Sequence, residues 1–434
     1  MKIVMVGSGY VGLVSGICFA EFGFETVCVD KDQSRLNSIG KGICPFFEPG
    51  IEELLIKHLN STKHLTLSSD LASAVQQADI IFITVGTPTR RLENEADLSA
   101  VFDVAKEIAS NIKDYSIVVT KSTVPVGTTK KIKDIISKKL SQDKFDVVSN
   151  PEFLREGSAI NDFMRPDRVI IGAESKKSKK MMQEIYRPLY LQDTPIVFTS
   201  IEAAEIIKYA SNSFLATKIA FINEVADLCE ATGANVQDVA EAMGMDKRIG
   251  SKFLHAGPGF GGSCFPKDIK AFSATAKKMG IKLSIADAVN LSNQERPIKV
   301  ASKIAKYYDN NLASISLTIL GLSFKPNTDD IRDSTSLKIA RELLNKGAKI
   351  QVYDPKAMNN AKNEMGELEY CENAYEACKE SSGLIIATEW NEFRALDLNK
   401  IKKLMINPVI FDLRNIYNKQ EVKALDIEYH GIGK

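Results

Sequence analysis

Two glycine-bearing segments and one cysteine offer chemistry before any element is assigned. The denser segment reads Gly257-Pro258-Gly259-Phe260-Gly261-Gly262-Ser263-Cys264-Phe265-Pro266-Lys267-Asp268. Four glycines within six residues leave backbone N–H groups approachable, which suits an anionic ligand or a backbone-lined pocket. Cys264 follows, beside Lys267 and Asp268. An ordinary thiol of pKa about 8.5 is only about 3% thiolate at pH 7, and a nearby lysine or backbone donor raises that reactive fraction. An isolated cysteine would read as buried filler; these surroundings favour a nucleophile.

The second segment, Gly7-Ser8-Gly9-Tyr10-Val11-Gly12, fits G-x-G-x-x-G between an apolar run and a helical pattern. Glycines there allow a tight turn, close approach of backbone to a pyrophosphate, and helix–strand packing. Asp30 stands 18 residues beyond Gly12, where a carboxylate accepts from both ribose hydroxyls of NAD and repels the extra phosphate of NADP. Lys31 and Arg35 are bases that could accommodate such a phosphate. Lys208 and Asn212, four residues apart, share a helix face and are either oxyanion donors or a polar surface stripe. Asn150-Pro151-Glu152-Phe153-Leu154-Arg155-Glu156-Gly157 follows a strand pattern and falls at the ligand edge of an α/β sheet, or is an ordinary charged loop. Lys325, after Gly321-Leu322-Ser323-Phe324, suits a phosphate or plain solvent.

These residues need elements to position them. Strand patterns at Lys2–Val6, Glu25–Asp30, Ile80–Val85, Ser116–Thr120, Phe145–Val148, Val169–Ile171 and Ile196–Phe198 alternate with helical ones, the signature of a doubly wound parallel sheet. Long helical stretches such as Ile201–Ala231 then dominate up to Arg296. A helix of that length exceeds what one small domain needs and links domains or pairs with a second subunit. A second alternation follows, with strands at Ser316–Leu320, Lys349–Tyr353, Gly383–Ala387 and Val409–Asp412 and a helix over Ser336–Asn345 capped by Asp333 or Ser334 and stopped at Gly347. No G-x-G-x-x-G follows its first strand, so a second dinucleotide is not expected. The expected domains are 1–200, 201–300 and 301–434.

Composition bounds the function. A chain of 434 residues with 44% hydrophobic and 26% charged residues is ordinary globular material, and 56 Lys and Arg against 55 Asp and Glu give a net charge of +1. That balance argues against nucleic acid or an anionic membrane as partner and favours a small molecule. The uncharged run Ile3–Ala20 could pass for a membrane segment, but six of its 18 residues are Gly or Ser, so it reads as strand, turn and buried helix. Seven cysteines without a C-x-x-C pair and four scattered histidines suggest neither a disulfide framework nor a metal site, which fits a reducing cytoplasm. The lysines of 176–180 read as a solvated helix face rather than a docking patch.

Together the segments resemble the nucleotide-sugar dehydrogenases of the UDP-glucose/GDP-mannose dehydrogenase family. The likeness runs along essentially the whole chain: G-S-G-Y-V-G at 7–12, K-S-T-V-P-V-G-T at 121–128, N-P-E-F-L-R-E-G at 150–157, G-F-G-G-S-C-F-P-K-D at 259–268 and G-L-S-F-K-P-N-T-D-D-I-R at 321–332. The resemblance implies an N-terminal Rossmann domain for NAD, a central helical dimerisation domain carrying the cysteine loop, and a second Rossmann-like α/β domain for the UDP sugar. It further implies a homodimer and four-electron oxidation of UDP-glucose to the carboxylate. Other nucleotide sugars, GDP-mannose or UDP-N-acetylmannosamine, are the rival substrates, and a non-catalytic nucleotide sensor is the rival class.

Carried over by resemblance, Cys264 is the nucleophile, Lys208 and Asn212 stabilise oxyanions, Asp268 orients Lys208 or a water, and Glu152 serves the hydrolytic step beside Thr123. Cofactor contacts implied are Gly7, Gly9, Tyr10, Val11, Gly12, Asp30, Arg35, Thr87, Thr123, Glu156, Lys267 and Arg332. Substrate contacts implied are Glu152, Phe153, Leu154, Arg155, Glu156, Lys208, Asn212, Phe253, Leu254, His255, Ala256, Gly257, Gly261 and Lys325, with Arg248 offered by the neighbouring subunit. Arg414 joins them, although Leu413 before it departs from the smaller residue that related chains often carry.

Overall fold

Strands covered on both faces need apolar side chains in both directions, and the chain supplies them in two sets. The computed structural model describes residues 1–88 and 95–434, and these divide into two compact units, Met1–Ser211 with Ala274–Ile281, and Asn212–Ser273 with Lys282–Lys434. The first holds β1 (Lys2–Val6), β2 (Glu25–Val29), β3 (Leu65–Ser68), β4 (Ile80–Ile83), β5 (Ser116–Thr120), β6 (Phe145–Ser149), β7 (Val169–Ala173) and β8 (Ile196–Thr199). Their order is β3-β2-β1-β4-β5-β6-β7-β8. Alternate residues feed two separate cores: Ile3, Met5, Ile80, Phe82, Ile117 and Val119 on one face, Val4, Val6, Ile81, Ile83 and Val118 on the other.

The second unit repeats the plan with β9 (Ser316–Leu320), β10 (Lys349–Tyr353), β11 (Glu369–Tyr370), β12 (Gly383–Ile386), β13 (Val409–Asp412) and β14 (Glu428–Gly431), ordered β11-β10-β9-β12-β13-β14. All of its pairs are parallel. In each sheet the order reverses beside the first strand, so the loops after β1 and β4, and after β9 and β12, flank a switch point.

The first sheet is not wholly parallel, contrary to expectation: β6 and β7 run antiparallel through Val148 opposite Ala173. A parallel neighbour would demand a crossover to the far end of the sheet. The connection through 150–168 instead re-enters from the end it left, which keeps Asn150–Gly157 at the carboxyl edge. The sequence reading also misses β3, β11 and β14, all sheet edges whose mixed composition carries no β-branched run. The run 3–20 resolves into β1, a glycine turn and the helix Tyr10–Glu21, and among the described residues no helix is long and apolar enough to cross a membrane.

The long helix spans Ile201–Thr232. In the helix Thr335–Asn345 the cap is Ser334, whose hydroxyl accepts from Leu337 N, while Asp333 pairs with Lys338. Gly347 follows at φ +95°, as a left-handed helix stop requires. Lys176, Lys177 and Lys180 are solvent-exposed on the helix Lys176–Ile185.

Candidate active site

At the carboxyl edge of the first sheet, Gly7 N donates to Val29 O (2.8 Å) and the helix Tyr10–Glu21 starts directly after Gly9. A Cβ on Gly12 would stand 1.8 Å from Gly7 O, so only glycine lets this helix approach the turn. Around Gly9, by contrast, a Cβ would meet nothing within 4 Å, which leaves open space at a helix N-terminus, where a pyrophosphate is favoured. Asp30 is 8% exposed and accepts from Ser8 N (2.8 Å), Asp32 N (3.0 Å) and Arg35 Nη1 (3.0 Å). Burial pushes its carboxyl pKa up, but the two amide donors and the guanidinium outweigh this and hold it below the usual value. Arg35 is thereby engaged by Asp30 and Asp32. The residues fit a dinucleotide whose ribose is read by a carboxylate. Thr87 Oγ1 donates to Thr123 O (2.9 Å), tying the loop after β4 to the loop after β5.

The loop after β6 is held by a residue the sequence reading does not pick. Glu48, 4% exposed, accepts from Gly157 N (2.6 Å), Ala159 N (2.8 Å) and the Tyr10 hydroxyl. One carboxylate thus joins the start of the first helix to the end of Asn150–Gly157. Burial, followed by the charges of Glu48 and Glu156, pushes the Tyr10 hydroxyl pKa well up, so it stays a donor. Within this loop Glu152 accepts from Lys208 Nζ (3.1 Å), both side chains buried. The Phe153 ring lies 3.9 Å from the Arg168 guanidinium and 5.3 Å from Lys208 Nζ. Arg155 forms a two-pronged pair with Asp162.

In the second unit Cys264 immediately precedes the helix Phe265–Lys278, and its carbonyl accepts from Asp268 N (2.8 Å). The thiol therefore sits at a helix N-terminus, which favours a thiolate. Asp268 is fully buried; it accepts from Asn212 Nδ2 (2.7 Å) and from Lys267 Nζ (2.7 Å). Lys208 and Asn212 occupy successive turns of the long helix, one bound to Glu152 and the other to Asp268.

The glycine segment before Cys264 is pinned from its own unit. Gly257 N donates to Asn223 Oδ1 (2.8 Å) and Gly257 O accepts from Arg296 Nε (3.0 Å). Asn293 exchanges two hydrogen bonds with the backbone of Phe260 (2.8 and 2.9 Å). Asp227 in turn anchors Arg296 at 2.6 Å. Gly262 N reaches Arg332 O (2.8 Å) at φ +84°, and a Cβ there would meet the Phe324 ring at 2.8 Å. Arg414 Nε donates to Ala387 O (2.8 Å) and its Nη2 to Phe324 O (3.4 Å), while Gly257 lies against its guanidinium. Gly257, Gly261, Phe324-Lys325 and Arg414 thus gather around one set of loops. Asp354, at the end of β10 as Asp30 is at the end of β2, is spent internally: it accepts from Leu322 N, Ser323 N and Trp390 Nε1.

The comparisons with known proteins decide what this arrangement belongs to. Residues 1–190 match the NAD binding domain of the UDP-glucose/GDP-mannose dehydrogenase family, 202–295 its central domain and 318–419 its UDP binding domain. The chain belongs to the UDP-glucose/GDP-mannose dehydrogenase family. Within that family it is an NAD-dependent oxidoreductase, two Rossmann-like α/β domains with a helical middle. It is 49% identical over 436 residues to a UDP-glucose 6-dehydrogenase of Rhizobium meliloti, covering all of both chains. A solved UDP-glucose dehydrogenase from Pyrobaculum islandicum superposes with TM-score 0.91 at 37% identity, covering 100% of this chain and 97% of that one. A UDP-D-ManNAc dehydrogenase from Pyrococcus horikoshii follows at 0.86 and 26%, covering 100% and 99%.

Other expected family residues sit apart from these contacts. Arg248 is exposed and paired with its own Asp246. The Arg332 guanidinium pairs with Asp330, and its carbonyl accepts from Gly262 N. Leu254 and Ala256 are core side chains, His255 is exposed, and Phe253 carries a left-handed φ of +66°. Glu48, Asn223, Asn293 and Arg296 are missing from the sequence reading, and Lys121 enters it only as the first residue of the 121–128 motif, with no role assigned. Polar residues on helices give no sign of which carbonyl or amide they will meet; only Glu48, before Pro49-Gly50, carries a turn signal, and that does not name its partner. No group of three or more His, Cys, Asp or Glu that could hold a metal occurs among the described residues.

Proposed function

We propose that this family member oxidises the C6 alcohol of UDP-glucose to the carboxylate through a covalent intermediate on Cys264. The observation that carries the proposal is the thiol at a helix N-terminus beside a buried aspartate that joins Lys267 and Asn212. The full-length likeness to a chain named UDP-glucose 6-dehydrogenase supports the choice of sugar. NAD, seated by Asp30 and the Gly7–Gly12 turn, supplies the hydride acceptor for both oxidations when bound.

The protein's own groups do the rest. Lys208, drawn from Glu152, donates to the C6 oxygen and assists removal of its proton, which leaves an aldehyde after the first hydride departs. The Cys264 sulfur bonds to that carbon and the carbonyl oxygen takes a proton, giving a thiohemiacetal. A free aldehyde is a poor hydride donor, whereas this adduct has an alcohol C–H to give. Loss of the second hydride and the hydroxyl proton leaves a thioester, whose oxygen Asn212 and Lys208 receive. Water, deprotonated at Glu152 near Thr123, bonds to the carbon; the C–S bond breaks and the thiolate returns. Alcohol, one water and two NAD give carboxylate, two NADH and three protons.

Phe153, Leu154, Glu156, Phe253, Gly257, Gly261, Lys325 and Arg414 serve the nucleotide sugar in this reading, and Arg248 reaches a partner's site. A homodimer is supported by an apolar stripe in the second unit. Phe214, Phe221 and Leu228, seven residues apart along the long helix, are exposed, as are Ile285, Leu291 and Ile298 on the helix Ser284–Tyr307. Seven cysteines without a disulfide support work in the reducing cytoplasm.

The test is cofactor stoichiometry with Cys264→Ser. The native enzyme is expected to form two NADH per UDP-glucose, and the variant to lose turnover by at least about a hundredfold, on the scale of a missing catalytic nucleophile. One NADH per sugar, or unchanged turnover in the variant, refutes the scheme. Faster NADH formation with GDP-mannose or UDP-N-acetylmannosamine reassigns the sugar.

A further inference from the structure

Lys121 stands directly after β5, 3% exposed, in the same unit as Glu152 and Lys208. Its ammonium donates to Asn150 Oδ1 (3.2 Å) and the Tyr186 hydroxyl (3.4 Å), and lies 5.8 and 5.7 Å from the rings of Phe82 and Phe163. The Tyr186 hydroxyl donates to the same Asn150 oxygen (2.6 Å), and Asn150 Nδ2 donates to Ile170 O (2.8 Å). Among the described residues no carboxylate forms an ion pair with it. A cavity lined by Lys121, Asn150, Glu152, Phe153, Arg168 and Tyr186 joins this ammonium to the Glu152 loop.

A buried ammonium with only neutral acceptors is costly, and a methionine of similar length would fill the space more cheaply. The charge is explained if it acts on its neighbours. The ionisable groups around it are Glu152 and Lys208, with Cys18 beneath, Tyr186 beside it, and Asp162 and Arg168 along the cavity, the former paired with Arg155 and the latter stacked on Phe153. Burial, and secondly the like charge of Lys208, lower the Lys121 pKa to about 8, against the attraction of Glu152 and Cys18.

We infer that Lys121 is a positioning residue for the oxidation: it fixes Asn150 at the root of the 150–157 loop and sets a buried positive charge beside Glu152 and Lys208. This rests on the roles proposed above for Glu152 and Lys208. A positive charge favours an anion and disfavours a second cation, so removing it makes both groups hold their protons to higher pH.

The experiment is the pH profile of kcat/KM for the native enzyme, Lys121→Met and Lys121→Arg. In Lys121→Met both limbs are expected to move to higher pH by about 0.5 to 1 unit, and Lys121→Arg, which retains the charge, to return them. Tyr186→Phe keeps the lysine but removes one acceptor, and is expected to move the limbs the same way by less; it serves if Lys121→Met does not fold. A melting temperature that changes while the limbs of a folded variant stay at their native positions overturns the inference, because a residue that only fills the core has no lever on titration. Native enzyme that forms no NADH from any nucleotide sugar would instead sink the proposed reaction.

Discussion

Glu48→Ala tests whether one buried carboxylate joins the cofactor end of the first unit to the 150–157 loop. The substitution removes the carboxylate that accepts from Gly157 N, Ala159 N and the Tyr10 hydroxyl. The orphaned donors are not equivalent. Gly157 is half-buried and recovers water, whereas Ala159 is fully buried and does not. Bonds to a charged acceptor contribute roughly 1.5–3 kcal/mol each, and one buried orphan costs about 1–3 kcal/mol. With partial recovery at Gly157 and Tyr10, the loss is about 3 to 4 kcal/mol. Urea unfolding followed by circular dichroism should report it as a lower midpoint at unchanged slope. Glu48→Gln retains one acceptor but sets an amide against the other N–H, so it should fall between native and alanine forms. The KM values for NAD and for the nucleotide sugar should rise together, since Tyr10 and Glu156 lie on the two segments that Glu48 joins. A native midpoint for Glu48→Ala, or a change confined to one KM, would refute the reasoning.

Two other outcomes follow from the second unit. Leu228→Glu puts a charge in the exposed stripe with Phe214 and Phe221, and light scattering should report a shift from dimer to monomer; an unchanged mass would remove the stripe from the interface. Asp227 is pushed up by burial, but Lys303 and Arg296 outweigh this and hold its pKa below the usual 3.8. A depressed folded pKa contributes stability that is present above that usual value and disappears as pH falls through the lower native one. The stability gap between native and Asp227→Asn should therefore be full at neutral pH and narrow progressively as pH falls below about 4, and a gap that stays constant from neutral pH down to pH 3 would contradict it.

Much of the architecture is legible because burial on both sheet faces leaves an unbroken apolar record. β5 and β13 fall where the aliphatic runs place them, and β9 and β10 where aliphatic residues alternate with polar ones. The edge strands β3, β11 and β14 leave no such record because their composition is mixed, whereas the edge strand β8 carries the apolar run Ile196–Phe198 and is legible. The direction of β7 was equally hidden, because strand polarity depends on which end the connection re-enters, not on composition.

The sequence by itself determined the reactive types and their local geometry. Gly7–Gly12, Asp30 and the glycines before Cys264 act through backbone conformation and short-range spacing, which a linear chain specifies directly. The family and its nicotinamide chemistry followed from these motifs in their order. Only the tertiary structure decided which side chains hold those motifs still. Glu48 meets residues more than a hundred positions away, Arg296 and Asn293 grip a segment over thirty positions before them, and Lys121 finds Asn150 and Tyr186 from other elements. The reason is physical: a buried polar group must find a partner, and which partner is near is fixed by how sheets and helices pack, not by neighbours along the chain.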